Sequence, residues 1–267
     1  MPEQNCDAHR FADYIAVIPA YNEVRTVRNV VERTLAQGIR VIVVDDGSTD
    51  GTADALRDMP IRLLRNPENL GKAASLWRGI QAAKADGARA VVTLDADDQH
   101  FPEDIPRLIQ RHEALPDHIV IGSRLHAREK IPVARYRANR FANFWIAWAA
   151  GYPLRDSQSG FRIYPLALFD RVRVRHDRAS CFVFESEILI EAGRQGIYSV
   201  AVPIAVSYGK HHRGSYFRPV LDIARVARML AVKLIGRGMY LPGLIRSLRR
   251  RSDDAVTSAA GESRQQR

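Results

Sequence analysis

Five short runs of β-branched and aliphatic residues, each but the last followed by a segment whose apolar positions recur at helical spacing, limit this chain to an α/β architecture. Tyr14 to Ile18 reads as a strand closed by Pro19, and Val24 to Leu35 then places Val27, Val30, Val31 and Leu35 on one helical face. Arg40 to Val44 repeats the strand pattern, a short helical piece covers Thr52 to Met59, and Ile61 to Leu64 forms a third strand. Gly71 to Ala85 predicts a helix with Ala74, Leu76, Trp77 and Ile80 as its apolar contacts, and Ala90 to Leu94 a fourth strand. Pro102 suits the first turn of a helix continuing through Ile105 to His112, and His118 to Ile121 is a fifth strand. Continuous apolar strands alternating with helices imply a mostly parallel sheet covered on both faces. In such sheets ligands bind outside the carboxyl ends of the strands.

The chain has 267 residues, 46% of them apolar, enough for a sizeable core without covalent staples. Cys6 and Cys181 are too few and too far apart for a disulfide framework or a cysteine zinc site, which points to a reducing compartment and, by default, the cytoplasm. The polar segment 1–12 has no apolar stretch of the kind a signal peptide or anchor needs. The uncharged, aromatic-rich run from Phe141 to Leu154 is 14 residues, short of the roughly 20 that span a bilayer. Net charge is +10, and the stretch from Tyr208 to Arg251, with eleven bases against Asp222 alone, accounts for all of it. The basic character therefore belongs to one C-terminal region whose partner is expected to be anionic.

Three polar turns follow strands: Pro19-Ala-Tyr-Asn-Glu23, Asp45-Asp-Gly-Ser-Thr-Asp-Gly-Thr52 and Asp95-Ala-Asp-Asp-Gln-His100. Taken singly, each is ordinary cap or turn chemistry. Together they gather carboxylates on one sheet edge, where like charges repel unless a cation or donor groups compensate. Asp46-x-Ser48-x-Asp50-Gly51 imitates the opening of an EF-hand loop, but Arg57 occupies the position that needs a bidentate Glu, so that reading fails. Asp95 and Asp97 are alternate residues of an extended turn and can share one hard cation, Mg²⁺ or Mn²⁺, whose octahedron waters and a diphosphate would complete. Neither a GxGxxG nor a GxxxxGK[ST] pattern is present to cradle phosphate.

Five ordered segments, Pro19-Ala-Tyr-Asn-Glu23, Val43-Val-Asp-Asp-Gly-Ser-Thr-Asp50, Asn69-Leu-Gly-Lys72, Leu94-Asp-Ala-Asp-Asp-Gln99 and Ser159-Gly-Phe-Arg162, together resemble family 2 glycosyltransferases of the GT-A fold. The resemblance spans about residues 13 to 217 and is nearest to the dolichol-phosphate mannosyltransferase branch. It implies an α/β GT-A domain and a donor site in which Pro19, Ala20, Tyr21 and Glu23 line the nucleotide pocket and Asp46 meets the base. It further implies that Asp95, Ala96, Asp97 and Gln99 hold the sugar diphosphate, with Asp95, Asp97 and Gln99 as metal ligands. The chemistry is compatible: Glu23 can accept from ribose hydroxyls and Asp46 from a base imide N–H. Lys72, at a helix start, either reaches an anion or is solvated.

On the acceptor side the resemblance assigns phosphate recognition to Arg124 and Arg135, a task suited to guanidinium groups. It places Asp156, of Asp156-Ser-Gln-Ser-Gly-Phe-Arg162, opposite the metal as base or positioning group. A phosphate acceptor is already ionised at neutral pH and needs little base catalysis. The branch ends in an Arg-x-x-Gly-x-Ser loop where this chain reads Lys210-His-His-Arg-Gly-Ser-Tyr216, so either Lys210 or Arg213 closes on the diphosphate. His211 and His212 are adjacent and read as loop residues, not a metal pair. Arg135, Arg137 and Arg140 precede Phe144, Trp145 and Trp148 on one helix, which is either core or interfacial.

Residues 218 to 251 alternate bases with Val, Leu and Ile in two amphipathic pieces, fit either to lie on an anionic leaflet or to pack on the domain, and 252 to 267 read as a disordered tail. The expectation is an inverting hexosyltransferase using a GDP-mannose or UDP-glucose type donor and a lipid-linked acceptor, polyprenyl phosphate first among them, on the cytoplasmic face of a membrane. A different lipid or polyketide hydroxyl is the alternative acceptor. A sugar nucleotidyltransferase would need a glycine- and base-rich triphosphate loop that Pro19-Ala-Tyr-Asn-Glu23 is not. Nucleic-acid binding would need stacking aromatics among the C-terminal bases, whose neighbours are mainly aliphatic.

Overall fold

Alternation along the strands decides the layering. In β1 (Tyr14–Ala20), Tyr14, Ala16, Ile18 and Ala20 join one buried cluster and Ile15 and Val17 the other, because successive strand side chains point to opposite faces. The structure, a computed structural model, describes residues 11–124, 133–176, 183–205 and 219–248. Within them β1 is joined in parallel by β2 (Arg40–Asp45) on one side and β4 (Ala90–Thr93) on the other, and β3 (Arg62–Arg65) pairs with β2. Beyond β4 comes β6 (Arg162–Pro165), antiparallel to both its neighbours, then β5 (Ile119–Ser123) and β7 (Ser199–Pro203), parallel to each other. The order is β3-β2-β1-β4-β6-β5-β7. The mostly parallel α/β sheet expected from the strand runs is present, with one reversed strand, β6, beside its central strand β4.

Helices α1 (Val27–Leu35) and α3 (Ile105–Ala114) cover the Tyr14/Ile18 face; α2 (Lys72–Ala85), α4 (Val133–Ala150) and α6 (Phe184–Arg194) cover the other. A single turn, α5 (Leu168–Arg171), follows β6. Boundaries differ from the expectations where hydrogen bonding intervenes. β1 runs through Pro19, which pairs in register with Val44, because the β4 ladder ends at Val17↔Thr93 and makes no demand on the missing N–H. The helix expected from Val24 starts at Val27, since the N–H groups of Thr26 and Val27 both turn back to the Glu23 carbonyl. Only one 3₁₀ turn, Asp54–Leu56, forms in the piece expected from Thr52 to Met59.

The C-terminal basic segment is packed, yet not wholly covered. α7 (Pro219–Ile235) inserts Leu230 and Leu234 into the α2/α4/α6 core, and Lys233 bridges Glu187 at 2.8 Å and Glu191 at 2.5 Å. α8 (Leu241–Leu248) lies on α4, and the Trp148 indole donates to the Met239 carbonyl at 3.0 Å in the turn between α7 and α8. The outer faces keep Ile223, Val232, Ile235, Leu241, Ile245 and Leu248 exposed. The aromatic helix divides in the same way: Trp148 is buried in the core, whereas Phe141 and Phe144 are exposed. Among the described residues no helix is long and apolar enough to cross a membrane.

Candidate active site

At the carboxyl edge, the turns after β1 and β2 are laced together. Asn22, at φ 55°, donates its backbone N–H to Ser48 Oγ (2.9 Å) and accepts from Thr49 N–H (2.9 Å), while Glu23 N–H donates to Thr52 Oγ1 (2.8 Å). Pro19 and Ala20 are buried beneath this lacing, and Tyr21 and Glu23 are half-buried on its rim. Asp46 N–H donates to the Ala20 carbonyl at 2.8 Å. The Asp46 carboxylate accepts from Asn66 Nδ2 (2.8 Å), Leu70 N–H (2.9 Å) and Gly71 N–H (2.9 Å), so it fastens the loop that leads into α2. That loop-holding duty is what the geometry gives Asp46, beyond the base contact the sequence resemblance implies.

The turn after β4 carries the densest charge. Asp95 Oδ1 lies 2.6 Å from Lys72 Nζ, which also lies 3.4 Å from Glu185 Oε1 at the start of α6. Burial by itself would raise the Asp95 carboxyl, but Lys72 and then His100 outweigh it and hold the group below the usual carboxylate range. Burial likewise disfavours the Lys72 ammonium, and Asp95, Glu185 and Asp97 together overcome it, so the lysine stays charged. Gly160 closes over the pair: a Cβ there would sit 2.7 Å from Asp95 Oδ2 and 3.1 Å from Lys72 Nζ. Asp97 Oδ1 accepts from Gln99 N–H at 3.1 Å, closing a tight turn around the left-handed Asp98 (φ 59°). Asp98 is tied to α1 by Arg33 (2.8 Å) and Asn29 (3.2 Å).

Asp95, Asp97 and Gln99 thus share one short turn and offer oxygen donors, the ligand type a hard divalent cation takes. Gly160, having no side chain, comes close to Asp95 Oδ2 without covering it with a methyl group, and Oδ1 already holds the Lys72 ammonium. Among the described residues no group of three His, Cys, Asp or Glu side chains forms a metal cage. A cation here would depend on two carboxylates, the Gln99 amide, water and the substrate's own phosphates.

The acceptor-side residues meet differently from the expectation for independent groups. Asp156 is fully buried at φ 50° and accepts from Arg124 three times, from the backbone N–H (2.8 Å), Nε (3.2 Å) and Nη2 (3.1 Å). Arg124 therefore enters the site already oriented by Asp156. Arg162 of the Ser159-Gly-Phe-Arg162 segment is also fully buried. Its guanidinium donates to the carbonyls of Ser159 (2.6 Å), Ser157 (2.7 Å) and Glu185 (2.8 Å) and to Tyr164 Oη (3.0 Å), tying the start of β6 to α6. Arg135 is placed in the first turn of α4, and its side chain lies outside the described residues, as do Lys210, His211, His212 and Arg213.

Two residues join the site unannounced. His100 is buried with its ring 5.5 Å from that of Phe161, within the fields of Asp95, Arg124, Lys72 and Asp156, and burial first of all pushes its pKa down to about 4. Glu185 becomes the second carboxylate on Lys72. The position of His100 directly after Gln99 was a usable signal; Glu185, ninety residues from the acid turn and on a helix of its own, gave none.

A mostly parallel sheet with acid turns at its carboxyl edge and a reversed strand beside the Asp95 turn defines a GT-A glycosyltransferase domain. The family model "Glycosyl transferase family 2" matches residues 15–176, and the chain belongs to that family. It is 27% identical over 239 residues to the UDP-N-acetylglucosamine–dolichyl-phosphate N-acetylglucosaminyltransferase of Methanococcus voltae, covering 82% of this chain and 95% of that one. It is 33% identical over 177 residues to the undecaprenyl-phosphate 4-deoxy-4-formamido-L-arabinose transferase of Proteus mirabilis, covering 61% of this chain and 52% of that longer protein. Among solved structures, glucosyl-3-phosphoglycerate synthase from Mycobacterium tuberculosis, crystallised with Mn²⁺, UDP and glucosyl-3-phosphoglycerate, superposes with a TM-score of 0.57 at 21% identity, over 84% of this chain and 79% of that one. At that identity the likeness establishes the shared fold.

Proposed function

We propose that this enzyme is an inverting, divalent-metal-dependent transferase that moves a hexosyl group from a nucleotide sugar to a polyprenyl phosphate. The observation that carries it is the facing of two built clusters: Lys72–Asp95–Glu185 on one side and the buried Arg124–Asp156 pair on the other, both acting on His100. The first suits a sugar diphosphate, the second an anionic acceptor. The polyprenyl-phosphate substrates named for the relatives support the acceptor class.

Bound at Asp95, Asp97 and Gln99, Mg²⁺ or Mn²⁺ would supply Lewis-acid stabilisation of the departing diphosphate. Tyr21 and Glu23, fixed by the laced turns, border the nucleoside. Lys72 provides a second positive group, held by Asp95 and Glu185, where charge develops. Arg124 orients the acceptor phosphate, whose ionised oxygen attacks the anomeric carbon as the bond to the diphosphate oxygen breaks and its electron pair leaves with the nucleotide. One displacement inverts the configuration, and no proton need be removed from the phosphate. Asp156, buried and engaged by Arg124, accordingly acts by positioning that arginine.

Peripheral attachment to an anionic cytoplasmic leaflet fits the exposed face of the C-terminal helices, where Ile223, Ile235, Leu241 and Ile245 accompany Arg225, Arg228 and Arg246. The functional test is a panel of labelled nucleotide sugars with polyprenyl phosphate and Mg²⁺ or Mn²⁺, reading transfer into an organic phase. Label in the lipid with inverted anomeric configuration supports the reading. Transfer only to water-soluble acceptors, or release of pyrophosphate from a nucleoside triphosphate and a sugar phosphate, overturns it.

A further inference from the structure

A cavity of about 430 Å³ lies on the acceptor side, between α4, the 153–155 loop, the end of β7 and α8. That volume is in the range of small-ligand sites. Its inner end adjoins the site. Ser123 lines it one residue before Arg124, and Arg155 one residue before Asp156. Asn143, also in the lining, accepts from Ser157 N–H at 2.8 Å and Ser157 Oγ at 2.5 Å, which locks this wall to the Asp156 turn.

The lining has two characters. Arg140, with its guanidinium 5.9 Å from the ring centroid of Tyr136, and Arg155 supply positive charge. Phe144, Leu154 and Leu248 supply apolar surface. Phe144 and Leu248 are 40% and 65% exposed, so the cavity opens at them. The surface outside continues apolar through Phe141, one turn back on α4, and Ile245, one turn back on α8. A phosphate would find Arg140 and Arg155, the latter next in sequence to Asp156 of the Arg124–Asp156 pair; a hydrocarbon would find Phe144, Leu248 and the band beyond. α8 lies past residues 15–176, the part of the chain that the family model matches.

We propose that the cavity receives the phosphate-bearing end of a polyisoprenyl phosphate, with Arg140 as a phosphate contact and Leu248 of α8 as a chain contact. The proposal rests on the acceptor class given above and assigns the C-terminal helix a share in recognising the acceptor, beyond any anchoring. The chain beyond its first isoprene units leaves between Phe144 and Leu248 towards the apolar surface.

The test measures binding of farnesyl phosphate to the full-length protein by calorimetry in detergent-free buffer, with farnesol and inorganic phosphate as the two half-ligands. Farnesyl phosphate should bind at least about tenfold more tightly than either half, because the two ends of the site act together. Arg140→Met and Leu248→Glu, both at exposed positions, should each raise its Kd about tenfold, while Leu248→Phe retains binding. Thermal unfolding and Mn²⁺–nucleoside diphosphate binding should match wild type, showing that the donor half is intact. Unchanged farnesyl phosphate Kd in both Arg140→Met and Leu248→Glu overturns the assignment, even in a protein that transfers sugar to polyprenyl phosphate. Equal binding of phosphate alone overturns it too, by making the chain irrelevant. Should wild type transfer to no polyprenyl phosphate while the variants still lose farnesyl phosphate, the cavity stands as an isoprenyl-phosphate site and the proposed reaction falls.

Discussion

Gly160→Ala adds a single methyl group at the point where the donor cluster is tightest. The new Cβ would stand 2.7 Å from Asp95 Oδ2, about 0.7 Å inside ordinary contact, and 3.1 Å and 3.2 Å from Lys72 Nζ and Glu185 Oε1. The Gly160 backbone is not free to retreat, since its carbonyl accepts from Thr93 Oγ1 at 2.9 Å. The strain must therefore be relieved by rotating the Asp95 carboxylate away, which lengthens its 2.6 Å pairing with Lys72 and moves the donor-side oxygens. Overpacking of this kind costs about 1–3 kcal/mol, less than typical total stability, so the variant should remain folded. Misplacement approaching 1 Å at a reacting centre costs about 100-fold, so kcat/KM should fall about 10- to 100-fold. Mn²⁺ affinity, read by electron paramagnetic resonance in the presence of nucleoside diphosphate, should weaken in parallel. A folded Gly160→Ala enzyme with wild-type Mn²⁺ affinity and turnover would refute the close-packed donor cluster.

Other perturbations separate the remaining roles. Asp97→Asn should keep the fold and abolish metal-dependent transfer, and near-normal turnover at saturating Mn²⁺ would remove Asp97 from the ligand set. Asp156→Asn preserves an acceptor for Arg124 and tolerates the φ of 50°, so it should lose less turnover than Asp156→Ala, with nucleotide-sugar affinity little changed in either; a collapse of donor affinity would contradict the acceptor-side placement. Arg162→Met leaves the carbonyls of Ser157, Ser159 and Glu185 without their buried donor and should destabilise the protein by about 3 kcal/mol or more, measured by urea unfolding. His112, buried on α3 beside Tyr14, has its pKa pushed down to about 4, chiefly by burial. The unfolded chain therefore gains a proton there that the native chain refuses, and stability should fall from about pH 6.5 to about pH 4, by up to about 3 kcal/mol. His112→Gln should make that slope shallower, and an unaltered slope would place the titration elsewhere.

What could be read from the sequence follows from how each feature is encoded. β1, β2, β4 and β5 announce themselves because strands buried on both faces must be continuously apolar. β6 was missed because its four residues contain an arginine and a proline, and Arg162 is compatible with the core only once the carbonyls of Ser157 and Ser159 just before it and of Glu185 on α6 surround it. The Asp95/Asp97/Gln99 turn was legible as a local pattern. The partners that define its electrostatics were not: Lys72 and Glu185 reach it from separate helices, and their convergence is a property of the sheet order. Asp46 shows the converse, a recognisable motif residue whose carboxylate is committed to three hydrogen bonds with the loop before α2.

The reversed strand inside the sheet has the effect of a ruler. β6 lies between β4, whose end leads to Asp95, and β5, whose end leads to Arg124, so the two roots are separated by two strand spacings, about 10 Å. Side by side, β4 and β5 would bring them to half that. The added width is comparable to a pyranose ring with a phosphate beside it. Gly160 precedes this strand and raises no side chain into the opening. Lengthening or shortening the loops above would leave the separation intact, because the hydrogen-bonded backbone beneath determines it.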